Sequence, residues 1–270
     1  MTFAARLRAA VAAHGELCVG IDPHAAILDA WGLAHDAAGA ERLGRSVVEA
    51  SAGAVAVVKP QVALFEAHGS SGLAALERVL ADARAAGQIT IADAKRGDIG
   101  STNRGYADAW LAAGSPLEAD ALTVSPYLGV GALDPLLDAA EASGKGVFVL
   151  AATSNPEAAA LQSVRLDDGR SVARAVAEEV AARNAATGAG HGIVVGATID
   201  RAPLGLVIDP ATPVLAPGFG AQGARLEDRR ALFPGEALVL ASASRSILGE
   251  GERGLAGAIA RARAELAVSS

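Results

Sequence analysis

The sequence predicts an α/β protein, a (β/α)8 TIM barrel, on three observations. Eight short runs rich in Val, Ile, Leu and Ala recur along the 270 residues. Segments with apolar residues at three- and four-residue spacing lie between them, and such strand–helix alternation builds parallel sheets. Eight such units in roughly 250 residues match the closed barrel. A doubly wound open sheet is the competing architecture. The strand count argues against it weakly, the placement of the polar motifs more strongly.

The eight runs are Leu17–Ile21, Ala54–Val58, Ile89–Ala92, Ala121–Val124, Gly146–Leu150, Gly192–Gly196, Pro213–Ala216 and Ala237–Ala241. They do not alternate polar with apolar, as strands covered on both faces would not. Leu73, Leu76, Val79 and Leu80 form one helical stripe, and Val172, Val176, Glu179 and Val180 lie on another segment, 171–187. A helix is expected from Ile99 to Ala113. The one long irregular excursion runs from Asn155 to Arg170, and its Asp168-Gly169 pair predicts a hairpin turn. No repeat, linker or low-complexity segment splits the chain, so residues 1–270 are expected to form a single domain.

Composition narrows the function. With 51% hydrophobic residues and 20% charged, the chain can build a large core and is not disordered. A net charge of −7 speaks against a nucleic-acid partner. The single Cys18 excludes a disulfide scaffold and a Cys-based zinc site. His14, His24, His35, His68 and His191 show no metal-ligand spacing, so no metal is expected. No apolar run approaches the ~20 residues that span a bilayer. The apolar stretch Ala9–Ala13 is short for a secretory signal, so a cytoplasmic protein without membrane partners is expected.

Of the 23 basic residues only Lys59, Lys95 and Lys145 are lysines; the rest are arginines. A GC-rich genome would replace Lys by Arg wherever either serves. The surviving lysines are then candidates for work that Arg, which holds its proton too tightly, cannot do. Lys145 lies in Ser-Gly-Lys-Gly and is given no role.

Four motifs carry chemistry. Asp93-Ala-Lys95-Arg-Gly-Asp98-Ile closes the third run. Residues i and i+2 of a strand share a side, so Asp93 and Lys95 should face the barrel mouth together. A plainer reading makes Asp98 a helix cap and Lys95 a surface ion-pair partner. Lys59 ends the second run in Val-Val-Lys59-Pro-Gln, within reach of Asp93 in a neighbouring strand. Lys59, Asp93, Lys95 and Asp98 would then alternate in sign, which keeps the lysines charged. The plainer alternative is a structural ion-pair network.

Pro217-Gly218-Phe-Gly220-Ala-Gln222-Gly223 follows the seventh run and satisfies G-x-G-x-x-G. A dinucleotide site would need an opening βαβ unit and an acidic strand end about 20 residues on, and neither is present. A phosphate grip fits better, because glycines let backbone N–H groups approach an anion. The eighth run ends in Ser242-Ala-Ser244-Arg245-Ser246. Barrel phosphate sites are often built after strands seven and eight, and Arg245 can clamp phosphate oxygens bidentately, although Ser-x-Ser-Arg is also a common polar cap. Asp22 and Ser125 end the first and fourth runs and offer hydrogen-bonding groups at the mouth.

Taken together, Asp-Ala-Lys-Arg-Gly-Asp-Ile (93–99), Lys59, Pro-Gly-Phe-Gly-Ala-Gln-Gly (217–223) and Ser-Arg-Ser-Ile (244–247) resemble the orotidine 5′-phosphate decarboxylase family. Val-Lys-Pro-Gln, Ser-Pro-Tyr-Leu-Gly and Ala-Thr-Ser-Asn-Pro resemble its longer bacterial subgroup, type 2. The likeness runs from about Leu17 to Leu248. It implies decarboxylation of orotidine monophosphate to UMP and CO2, the last step of pyrimidine nucleotide synthesis. It also implies no cofactor and a homodimer with shared active sites.

Carried over by position, the resemblance makes Lys95 the proton donor to C6 and sets Asp93 against the departing carboxylate. Lys59 would bridge Asp93 and the ribose. Asp98 and Thr102 would reach into the partner's site. Asp22 would hold ribose hydroxyls, Ser125 the pyrimidine, Gln222 the phosphate and base, and Arg245 the phosphate, with Pro217, Gly218 and Ser244 lining the phosphate grip. Three other readings remain: a metal-dependent sugar-acid phosphate decarboxylase, which Lys59 at the second strand end disfavours; a silent nucleotide-binding protein; and a NAD-binding protein.

Overall fold

The structure, a computed structural model, describes residues 1–235 and 238–268. Eight parallel strands pair in chain order. They are β1 Leu17–Ile21, β2 Val57–Pro60, β3 Ile89–Arg96, β4 Ala121–Val124, β5 Gly146–Ala152, β6 Gly192–Val195, β7 Val214–Pro217 and β8 Val239–Ala243. β8 pairs back onto β1, with Cys18 opposite Ser242, so the sheet closes into a (β/α)8 barrel and the open-sheet alternative is excluded. Ala237, where the eighth run was expected to start, and Glu236 before it lie outside the described residues.

The period of two along each strand sorts the side chains. Cys18, Val57, Ile91, Ala121, Phe148, Val194, Leu215 and Leu240 point to one side and form a buried cluster inside the barrel. Their neighbours Val19, Val58, Ala92, Leu122, Val147, Ile193, Val214 and Val239 join the second cluster, shared with the surrounding helices. Both faces of the strands are therefore apolar, which is why the runs do not alternate.

Helix Phe3–His14, which sequence reading did not assign, closes one end of the barrel. Phe3 and Leu7 belong to the interior cluster, and the Phe3 ring meets Phe148 edge-on at 6.1 Å between centroids. A side chain at Gly146 would overlap the Phe3 ring, so the start of β5 has to be glycine. Arg6 pairs with Asp120 at 2.7 Å on this face, and Lys145 pairs with Glu118 at 2.8 Å. The opposite end, at the strands' C-termini, is left for polar groups.

Helix Gly69–Ala85 buries Leu76, Val79 and Leu80 of the expected stripe and half-buries Leu73. Helix Val172–Thr187 starts from Ser171, whose Oγ accepts the Arg174 N–H at 3.1 Å. Its buried face is Ala173, Val176, Ala177 and Val180, and Glu179 is exposed, so the expected stripe is shifted onto the alanines. The helix after β3 is Gly100–Trp110, shorter than expected at its C-terminal end. In the 155–170 excursion the Leu166 N–H donates to the Arg170 carbonyl at 2.8 Å around Gly169, at φ 81°, which forms the expected turn. Among the described residues no helix is long and apolar enough to cross a membrane.

Candidate active site

The same parity that fills the barrel with apolar side chains turns polar at the C-terminal ends. Above Val57 stands Lys59, above Ile91 stands Asp93, above Ala121 stands Thr123, and above Leu240 stands Ser242. Lys59, Asp93 and Ser242 line a cavity of about 260 Å³, with Thr123 behind Asp93. Asp22, Lys59, Asp93, Lys95, Pro217, Gly218, Gln222, Ser244 and Arg245 all line it. A larger hollow of about 680 Å³ opens beside the N-terminal ends of β1 and β8, lined by His14, Glu16 and three arginines, and contains none of the predicted residues. In barrel enzymes chemistry is done at the strands' C-terminal face, which favours the smaller cavity.

At its centre Asp93 accepts three donors. Lys59 Nζ lies 2.8 Å from Oδ2, Lys95 Nζ 2.6 Å from Oδ1, and Thr123 Oγ1 donates to Oδ1 at 2.9 Å. Burial alone would raise the Asp93 carboxyl, but Lys59 and then Lys95 outweigh it and hold it well below the usual carboxylate range. Burial works equally against the Lys59 ammonium, and Asp93 and Asp22 outweigh it, lifting Lys59 above the ordinary lysine value. Both groups are therefore charged at neutral pH. Lys59 and Asp93 are nearly closed off from solvent, while the Lys95 side chain is 46% exposed and free to exchange protons with water or to meet a ligand.

The β3 end that carries these groups is irregular. Its pairing with β4 shifts between Ala92 and Arg96, and Lys95 has φ 49°, the left-handed region that a non-glycine residue enters only at a cost. The Arg96 carbonyl accepts the Ser125 N–H at 2.7 Å. The Arg96 guanidinium pairs with Glu66 and lies over the Tyr106 and Trp110 rings, 5.9 Å from each centroid. Gly97 passes so close over the Ser125 carbonyl that any side chain there would overlap it.

Asp98, Thr102 and Ser125 are not among the residues that line the cavity within one chain. Asp98 lies past the strand, its backbone N–H donating to Asn103 Oδ1 at 3.0 Å and its own Oδ1 accepting the Ile99 N–H at 2.7 Å. No pairing of Asp98 with a lysine occurs among the described residues. Thr102 is exposed on the following helix. Ser125 has the inward parity, but the displaced β3 end runs across it.

Sequence reading missed Gln61, Thr153, Ser154, Asn155 and Ser242 as lining residues, and Thr123 behind Asp93. Thr123 and Ser242 interrupt apolar runs, a signal that was present. Ser154 and Asn155 follow a second irregularity, the register shift between Leu150 and Ala152 of β5. Gln162, from the excursion, fixes this corner: Thr153 N–H donates to Gln162 Oε1 at 2.9 Å, and Gln162 Nε2 donates to Thr153 Oγ1 at 3.0 Å.

On the far wall the β7 loop carries Gly218, Gly220 and Gly223 at φ 118°, 73° and 105°. The loop closes on itself: Gly220 N–H reaches the Ala224 carbonyl at 2.8 Å, and Gly223 N–H the Gly220 carbonyl at 2.9 Å. Those two amides are engaged within the loop, and the exposed Arg245 and the Gln222 side chain stand beside the loop on this wall. Only a 3-10 turn at Leu226–Asp228 and a four-residue helix follow, so the dinucleotide reading loses its helix. Asp22 Oδ1 and Ser244 Oγ, both in this cavity, are buried without hydrogen-bond partners. Among the described residues no group of three His, Cys, Asp or Glu could hold a metal ion.

A polar cavity of fixed charges at the C-terminal face of a (β/α)8 barrel defines a barrel enzyme. A family model described as the orotidine 5′-phosphate decarboxylase / HUMPS family matches residues 15–258. An orotidine 5′-phosphate decarboxylase from Salinispora arenicola is 53% identical over 254 residues, 93% of this chain and 91% of that one. One from a Nocardioides species is 51% identical over 251 residues, 91% of each chain. A solved structure from Streptomyces avermitilis, assigned to the same decarboxylase, superposes with a TM-score of 0.93 at 48% identity, covering 99% of this chain and 95% of that one. The chain belongs to the orotidine 5′-phosphate decarboxylase / HUMPS family, and its likeness to the family's decarboxylases makes it a carboxy-lyase.

Proposed function

We propose that the chain, acting as one (β/α)8 domain over residues 1–270, converts orotidine 5′-phosphate to UMP and CO2 without a cofactor. The observation that carries this reading is the Lys59–Asp93–Lys95 array, set in a cavity whose far wall offers Arg245, Gln222 and the glycine loop. Phosphate would sit against Arg245, and the ribose hydroxyls against Asp22, whose Oδ1 needs a donor. Pyrimidine recognition belongs to Ser154 rather than to Ser125, because Ser154 is the one in the cavity.

The bond from C6 to the carboxylate breaks, CO2 leaves, and the electron pair stays on C6. The Lys95 ammonium faces that developing charge, stabilises it and gives it a proton. Solvent restores the ammonium, since Lys95 is half-exposed. Asp93, held ionised, fixes Lys95 and lies where the substrate carboxylate departs. A guanidinium would not serve, because it does not release its proton at neutral pH.

The active unit in this reading is a cytoplasmic homodimer with shared sites, Asp98 and Thr102 reaching the partner's cavity. The exposed Ile99, Tyr127 and Leu128 on the loops around Asp98 support a second copy there. The test is the fall of orotidine 5′-phosphate absorbance. The wild-type protein turns over, EDTA leaves the rate unchanged, and Lys95→Ala abolishes it with the melting temperature kept. A Lys95→Ala protein with near-normal turnover refutes the mechanism, and inhibition by EDTA favours the metal-dependent alternative.

A further inference from the structure

Thr123 is almost fully buried in β4 and stands behind the charged array rather than in the cavity. Its hydroxyl oxygen accepts the Lys95 backbone N–H at 3.0 Å and donates its one hydrogen to Asp93 Oδ1 at 2.9 Å. A hydroxyl is the smallest group that can do both, since it carries one donor and two acceptor positions. The Lys95 amide it holds belongs to the one non-glycine residue at positive φ among the described residues. A backbone there persists only where its surroundings over-determine it.

We propose that Thr123 is a positioning residue for the decarboxylation, holding the Lys95 backbone and the Asp93 carboxylate in one register so that the ammonium meets C6. This rests on the reading above that Lys95 is the proton donor. Asp93 Oδ1 receives both Lys95 Nζ and Thr123 Oγ1, so the same hydroxyl sets the backbone from which Lys95 departs and the carboxylate to which its tip returns. Without it the Lys95 amide loses its partner, the β3 end is free to leave the left-handed conformation, and the ammonium moves relative to C6. The phosphate and Asp22 contacts lie on other strands, and Lys59 still holds Asp93 through Oδ2, so the effect falls mainly on turnover rather than on binding.

The test compares Thr123→Val, close in shape and without the hydroxyl, with Thr123→Ser, which keeps the hydroxyl and drops the methyl. Misplacing a catalytic group by about 1 Å costs about 10²-fold in rate, and a loss of that order in kcat is expected for Thr123→Val, with KM changed less than about threefold. Thr123→Ser should retain kcat within about fivefold of wild type, and UMP should bind both variants as it binds wild type. Should Thr123→Val not fold, Thr123→Ala against Thr123→Ser carries the same comparison. A hydroxyl-free variant that folds and turns over like wild type overturns the proposal. So does a serine variant as impaired as the valine one, since the methyl's packing would then be what matters. An inactive wild type would instead overturn the decarboxylase reading.

Discussion

Replacing Lys59 by methionine isolates a buried ion pair at the centre of the site. The Lys59 and Asp93 side chains are 7% and 11% exposed and meet at 2.8 Å. At that distance, with an effective dielectric of about 20, the gross attraction is about 6 kcal/mol. Removing one member of a buried pair costs about 3–5 kcal/mol, mostly because the other charge stays behind. Asp93 still has Lys95 and Thr123, so the low end, about 3 kcal/mol, applies to Lys59→Met. For a chain of this size that is a drop of about 6–12 °C in Tm, read by calorimetry at pH 7. Lys59→Met combined with Asp93→Asn should recover most of it, because no buried charge is then stranded. The pH dependence gives a second reading. A carboxyl held below its unfolded value of 3.8 adds stability above that pH and loses it as pH falls through the folded value. Lys59→Met lets the Asp93 value rise towards 3.8, so the acid arm of its Tm curve flattens. An unchanged Tm, or a double variant less stable than the single one, would refute the reasoning.

Two further expectations address the assembly and the interior. If sites are shared, mixing inactive Lys95→Ala with inactive Asp98→Ala protein rebuilds one native site per heterodimer and restores about a quarter of wild-type turnover; no recovery after subunit exchange is proved would exclude sharing. Burial pushes the Cys18 thiol up to about 12, so the folded protein should not react with a thiol reagent at pH 8, and one thiol per chain should react on unfolding. Rapid labelling of the native protein would show that the barrel interior opens.

The barrel was legible because its strands are buried on both faces, and an apolar run is the direct mark of that. The β1 and β4 boundaries coincide with the apolar runs that predicted them, Leu17–Ile21 and Ala121–Val124. β3, β5 and β8 run past theirs, to Arg96, Ala152 and Ala243. Each continues on its C-terminal side, where the ladder holds while the side chains change from packing to lining the cavity. In these three strands the hydrophobic run marks where the core stops, and the strand stops later. Helix Phe3–His14 was missed for a related reason. Its contribution is the placement of Phe3 and Leu7 under the barrel, and a stretch so rich in alanine shows little contrast between faces.

The site was legible through charge and spacing, and it failed where strand parity failed. The scarcity of lysine singled out Lys59 and Lys95, yet Lys145 survived the same bias and is held by Glu118 and Asp120 at the opposite face, so scarcity alone does not mark a site. What separates them is the end of the barrel on which each run places its lysine. Parity placed Asp93 correctly, one step above Ile91. Carried past the strands, it would also have placed Ser125 in the cavity, one step above Thr123, and it places Ser154 there, three steps above Phe148. The Ser125 error follows from the register shift of β3, which carries the end of that strand across Ser125. The shift in β3 is where Lys95 turns into the left-handed region, and it is the reason the Lys95 tip folds back onto Asp93 instead of standing parallel to it. A regular strand would have set the two groups side by side along one face. The irregular one closes them into a ring with Thr123, so the feature that defeats prediction from spacing is the one that forms the charged centre.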